Sequence, residues 1–104
     1  MSEVIYADSK NLEETVKDEA LVLLDFYADW CGPCKMIGPV LEQVASENPD
    51  IKVIKVNVDE NIGLAQQYGV QGIPALFVLK EGTVVAQKAG FMPKESLVNW
   101  VKNA

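Results

Sequence analysis

Apolar residues recur along this chain with two periods, and the changes of period mark its elements. Residues 3 to 7 alternate weakly through Val4 and Tyr6 and predict a short first strand. Asp8 or Ser9 can then cap a helix over about residues 10 to 18, with Leu12 and Val16 turned inward. Residues 21 to 28 form a nearly continuous apolar run, the mark of a central strand covered on both faces, and one charged residue, Asp25, breaks it. From Pro33 the positions Met36, Ile37, Val40, Leu41 and Val44 share one helical face that ends near Glu47, ahead of Asn48-Pro49-Asp50. Pro39 removes one hydrogen bond inside that stretch, which predicts a kink and not a stop, because the apolar face continues beyond it.

Residues 51 to 58 predict a third strand with Lys55 set among Val53, Ile54 and Val56. Asp59 is placed to cap a helix of about nine residues that turns Ile62, Ala65 and Tyr68 inward and closes at Gly69 in a left-handed cap. An irregular loop, Val70-Gln71-Gly72-Ile73-Pro74, enters a strand over residues 75 to 80, and Glu81-Gly82 makes a tight hairpin turn into Thr83 to Ala89. Gly90 breaks that strand, and Pro93 is expected at the first position of a last helix carrying Leu97, Trp100 and Val101 on one face, with Trp100 in the core. The predicted order is β-α-β-α-β-α-β-β-α. Helices between the first three strands imply parallel neighbours, and the two-residue turn makes the last two antiparallel, so an α/β fold with a mixed sheet covered by helices on both faces results.

Composition narrows the class. At 104 residues the chain is expected to form a single domain over residues 1–104, with 49% apolar and 23% charged residues, which excludes disordered and low-complexity classes. A net charge of −6 and nine basic residues that never cluster argue against a nucleic-acid surface. The first eight residues show neither the basic patch nor the apolar stretch of a signal sequence, and no run reaches membrane-spanning length. With Cys-x-x-Cys beside a β-α-β pattern, this predicts a cytoplasmic redox protein.

The chemistry centres on Asp29-Trp30-Cys31-Gly32-Pro33-Cys34-Lys35, which holds the only two cysteines. A strand that enters a helix through this motif leaves Cys31 at the helix N-terminus, where free N–H groups and the dipole favour a thiolate presented to solvent. Cys34, one turn further, is covered by the helix and within disulfide reach. Asp25 in its apolar strand should have a raised pKa through desolvation, partly offset by a nearby Lys55; its alternative is a structural carboxylate bonded to the backbone or to water. Trp30, in a loop beside the thiols, reads as a surface residue.

Trp30-Cys31-Gly32-Pro33-Cys34-Lys35, together with Asp25, Gly72-Ile73-Pro74 and Gly90, resembles the thioredoxin family over essentially the whole chain. The resemblance implies a thioredoxin fold, a five-stranded mixed β-sheet flanked by four helices. It implies a general protein-disulfide reductase with no bound cofactor and no metal, monomeric, acting on diverse disulfide-containing proteins. A flavin-containing thioredoxin reductase would recharge it with electrons from NADPH. It also implies Cys31 as nucleophile, Cys34 as resolving thiol forming the Cys31–Cys34 redox disulfide, Asp25 as proton carrier with Lys55 its neighbour, and Pro74 as a cis-proline facing the disulfide. Trp30, Gly32, Pro33, Gly72, Ile73 and Gly90 would contact the substrate. Tyr27, where a second tryptophan is common, Ala75 and the bulky Phe91-Met92 set this chain apart.

A family thiol near pKa 7, against about 8.5 for a free one, gains about fifteenfold in thiolate at pH 7 and loses nearly fivefold in nucleophilicity, a net gain of about threefold. Positioning the target disulfide must therefore contribute more. No histidine stands between the cysteines to favour the dithiol by its charge, which predicts a low potential and work as a reductant. Two other readings use the same residues. Two thiolates supply half of a tetrahedral zinc or iron–sulfur site, which a dimer would have to complete, and the reduced protein could serve as a binding scaffold without turnover.

Overall fold

The computed structural model describes residues 3–104; the first two positions of the expected domain, Met1 and Ser2, lie outside the described residues. Its elements follow the predicted order: β1 (Ile5–Tyr6), α1 (Leu12–Val16), β2 (Val22–Tyr27), α2 (Gly32–Glu47), β3 (Lys52–Asn57), α3 (Ile62–Gln67), β4 (Ala75–Lys80), β5 (Thr83–Ala89) and α4 (Lys94–Lys102). They build one five-stranded sheet in the order β1-β3-β2-β4-β5. β3 lies parallel to both β1 and β2, so the first three strands are parallel, but β1 and β2 are not neighbours in the sheet. β4 runs antiparallel to β2 and to β5.

The central strand explains the two-faced core. Val22, Leu24 and Phe26 of β2 face α1 and α3, where they pack with Leu12, Val16 and Leu64. Leu23 faces the opposite way, onto Ile37, Leu41 and Val44 of α2 and Leu97 and Val101 of α4. Because side chains alternate along a strand, Asp25 shares the face of Leu23 and looks toward α2. The buried positions of α2 are Cys34, Ile37, Leu41, Val44 and Ala45, a stripe that starts at the second cysteine. Cys34 and Asp25 are thus the next positions, on helix and strand, toward the end of the layer where β2 stops.

Several local expectations shift. Met36 is exposed and Val40 half-buried, because a stripe that includes Cys34 centres on Ile37 and Leu41, about 100° further round the helix than Met36. α2 passes through Pro39 and runs on to Glu47, so the proline does not stop it. α1 is shorter than its pattern, and Asn11 holds the N-cap position, while the Asp8 carboxylate accepts from the N–H groups of Lys10 and Asn11 and shapes the preceding turn. α3 is capped at Asn61 and buries Leu64, leaving Ile62 exposed. Gly69 does adopt a positive φ of 70°, with the Val70 N–H returning to the Ala65 carbonyl. Pro93 occupies the N-cap of α4 and not its first helical position, and Trp100 is half-buried, with Lys88 Nζ 5.8 Å from its ring centroid.

The hairpin turn has both central residues at positive φ, Glu81 at 51° and Gly82 at 83°, the twist that joins tightly paired strands. β5 is an exposed edge strand, and a register irregularity opposite Val78 and Leu79 interrupts its ladder, which blunts edge-to-edge pairing.

Candidate active site

Cys31 closes the loop after β2 and is the N-cap of α2, with extended backbone (φ −89°, ψ 114°). Its Sγ accepts the N–H of Cys34 at 3.2 Å. An N–H donor and the positive end of a sixteen-residue helix converge on that sulfur, the arrangement that stabilises a thiolate. The two cysteines are joined in a disulfide with Cα atoms 5.2 Å apart. Both residues are only 4% exposed, so Cys31 is less open to solvent than its place in the sequence suggested. Tyr27, Val58 and Ile73 pack against the small cluster that the two cysteines form with Ala28. What distinguishes the two sulfurs is therefore their hydrogen bonding and surroundings, not gross exposure.

Asp25 is fully buried, and neither carboxylate oxygen has a hydrogen-bond partner in the protein, which removes the reading of a backbone-bonded structural carboxylate. Burial pushes its pKa up to about 7, against a partial lowering by the charge of Lys55. Lys55 is its register partner on β3, yet the two form no ion pair among the described residues. The lysine ammonium lies instead over the Tyr27 ring, 4.4 Å from its centroid.

The Ile73–Pro74 peptide bond is cis. The Ile73 carbonyl oxygen stands 3.8 Å from Cys31 Sγ. Neither the N–H nor the carbonyl of Ile73 has a backbone partner among the described residues, so both remain for a strand laid alongside. Pro74 is tied to the next loop through its carbonyl, which accepts the Gly90 N–H at 2.8 Å, and Gly90 sits at a φ of +98° that an L side chain would strain. Gly32 has open space where a Cβ would stand, and at Gly72 a Cβ would meet only the Ala89 side chain, at 3.9 Å.

Trp30 is 70% exposed, and its indole N–H donates to Asp59 Oδ2 at 2.8 Å. Asp59 is the site residue that sequence reasoning missed: its position before a helical pattern read as a cap, and nothing in the linear pattern links it to Trp30. Asn57 frees it for this contact, since the Asn57 side chain accepts from the N–H groups of both Asp59 and Glu60 and shapes the turn itself. Among the described residues no cluster of three or more His, Cys, Asp or Glu could hold a metal, and no helix is long and apolar enough to cross a membrane.

Comparison with known proteins bears on this arrangement. The thioredoxin family model matches residues 3–103. The chain is 45% identical to the thioredoxin of Haemophilus influenzae, over 97% of this chain and 96% of that one. It is 56% identical to the thioredoxin of Bacillus subtilis, over 76% of this chain and 77% of the other. Among solved structures, a single-residue mutant of the thioredoxin from Halobacterium salinarum NRC-1 superposes with a TM-score of 0.88 at 40% identity, covering 97% of this chain and 89% of that one.

Proposed function

Because this chain belongs to the thioredoxin family and is a thiol–disulfide oxidoreductase, we propose that it works as a general protein-disulfide reductase, carrying electrons from a reductase to protein disulfides. The observation that carries this reading is the Cys31 sulfur held at the helix N-terminus by the Cys34 N–H, beside the unpaired backbone of Ile73.

Cys31 as thiolate attacks one sulfur of a target disulfide. That S–S bond breaks, and the departing target sulfur leaves as a thiolate that takes up a proton. Cys34 then loses its proton to Asp25 and attacks the Cys31 sulfur; the mixed disulfide breaks, the second target sulfur leaves as a thiolate that takes up the proton Asp25 received, and the Cys31–Cys34 disulfide closes. Two electrons have passed to the target. A flavin-containing thioredoxin reductase drawing on NADPH returns them.

Substrate is held mainly through its backbone. An extended segment of the target pairs with Ile73 beside Pro74, while Trp30, Gly32, Pro33, Gly72 and Gly90 offer a surface with little side-chain relief, which suits varied targets. Lys55 modulates the charge around Asp25. The protein acts as a monomer, and a reducing compartment such as the cytoplasm suits this direction of flow.

Insulin reduction followed by turbidity, with dithiothreitol as electron source, tests the reading: turnover without added metal is expected. Equilibration with glutathione fixes the direction, and a disulfide that glutathione readily reduces would show the protein to be an oxidant instead. The Trp30–Asp59 bond is expected to orient the platform, so Asp59→Ala should raise the KM for insulin by about threefold with kcat unchanged, the loss of one modest, exposed hydrogen bond. An unaltered KM would show that the Asp59 bond does not orient Trp30 for binding.

A further inference from the structure

Lys55 stands in a row that crosses the sheet, with Tyr6 of β1 and Asp25 of β2 as its register partners on either side. A lysine so placed has two uses for its ammonium group, the buried carboxyl on one side or the rings on the other. It takes the rings. Nζ lies 4.4 Å from the Tyr27 centroid and 5.6 Å from that of Tyr6, within the roughly 6 Å reach of a cation–π contact. The two rings brace each other edge to face, 6.3 Å apart. They stand at a groove of about 440 Å³ that also carries Asp29, Cys34 and Lys35, so the ammonium keeps access to solvent.

Tyr27 is two residues beyond Asp25 on the same face of β2, and Tyr6 is on the strand beyond Lys55. The remaining neighbours of Asp25 offer its carboxyl nothing charged: β4 pairs it with Leu76, α2 brings Cys34 and Ile37 to that face, and α4 brings Leu97 and Val101. Lys55 is thus the one cation within its row, and its position sets how far that charge offsets the effect of burial on Asp25.

We infer that Tyr6 and Tyr27 are positioning residues whose rings hold the Lys55 ammonium on the groove side of the sheet, keeping it from pairing with Asp25 and leaving the carboxyl free to accept a proton from Cys34. The inference rests on the proton role proposed above for Asp25. Without the rings, the ammonium loses its alternative partner and turns to the carboxylate, and the resulting ion pair favours the charged form. Tyr27 therefore matters for the face of its ring, not for its hydroxyl.

A carboxyl ¹³C NMR titration of Asp25 in the oxidised protein, where neither cysteine titrates, reads this directly. Tyr6→Leu combined with Tyr27→Leu should lower the Asp25 midpoint by about one pH unit. Tyr6→Leu alone, at an exposed position, should move it the same way by less, and Tyr27→Phe should leave it in place. In a Lys55→Met background the leucine substitutions should no longer shift it, because no ammonium remains to turn. The acid limb of the pH profile for resolving a mixed disulfide should follow the same shifts. A midpoint unmoved by both leucines, or a fall that persists without Lys55, would overturn the inference. The proton role itself is read separately, from the rate at which Asp25→Asn resolves a mixed disulfide.

Discussion

Asp25→Asn is expected to stabilise the oxidised protein by about 4 kcal/mol above about pH 8 and by almost nothing below about pH 4. The carboxyl titrates near 3.8 when solvated and at about 7 in the fold. Between those values the unfolded chain has released the proton that the native state still holds, so the native state binds more protons and its stability falls as pH rises. Each pH unit of that window costs about 1.4 kcal/mol, and above about pH 8 the loss is complete. An amide at this position has no charge to desolvate and shows no such slope. Urea unfolding of both proteins from pH 4 to pH 9 checks it, since every other titrating group cancels in the difference. Parallel stability curves would mean that Asp25 is not neutral in the folded protein near pH 6. A penalty of this size at one buried, unpartnered carboxyl fits a position kept for chemistry at the expense of stability.

Much of this was legible in the chain because the fold is locally consistent. Each strand and helix announces itself by period, and the hairpin by Glu81-Gly82. Asp25 was visible as a single charge in an apolar run, and alternation then fixes which face it occupies. Sheet order was less accessible: parallel strands joined by helices can be adjacent or can leave a gap, and the gap between β1 and β2 that β3 fills comes from long-range pairing. That insertion is what puts Tyr6 beside Lys55 and Lys55 beside Asp25, so the aromatic cradle could not be read from spacing. The burial of Cys31 likewise goes with packing from distant segments, since Val58 and Ile73 pack against the cluster it forms with Ala28 and Cys34. Met36 and Ile62 mislead for a simpler reason. Each is apolar and in phase with its helix to within one residue, and the true stripe lies one position over.

Cys31→Ser is expected to reduce insulin reduction by at least about a thousandfold, whereas Cys34→Ser should preserve the first attack and stop at the mixed disulfide. A serine hydroxyl is almost wholly protonated near neutral pH, and no base stands at residue 31 to activate it, so the helix amide that favours a sulfur anion has nothing to act on. At residue 34 the same replacement leaves the Cys31 environment intact and removes only the thiol that releases the captured target, which should make the covalent complex persist and be recoverable without reductant. The asymmetry is testable even though both residues are 4% exposed. In the reduced protein, iodoacetamide should label Cys31 well ahead of Cys34, because rate follows thiolate content and the Cys34 N–H points at one sulfur only. Equal labelling would remove the asymmetry between the two thiols, and stable trapping by Cys31→Ser in place of Cys34→Ser would reverse their roles. The net activation of a family thiol is only about threefold, so most of the expected thousandfold loss comes from losing the sulfur nucleophile itself, beside the Ile73 backbone proposed to pair with the target strand.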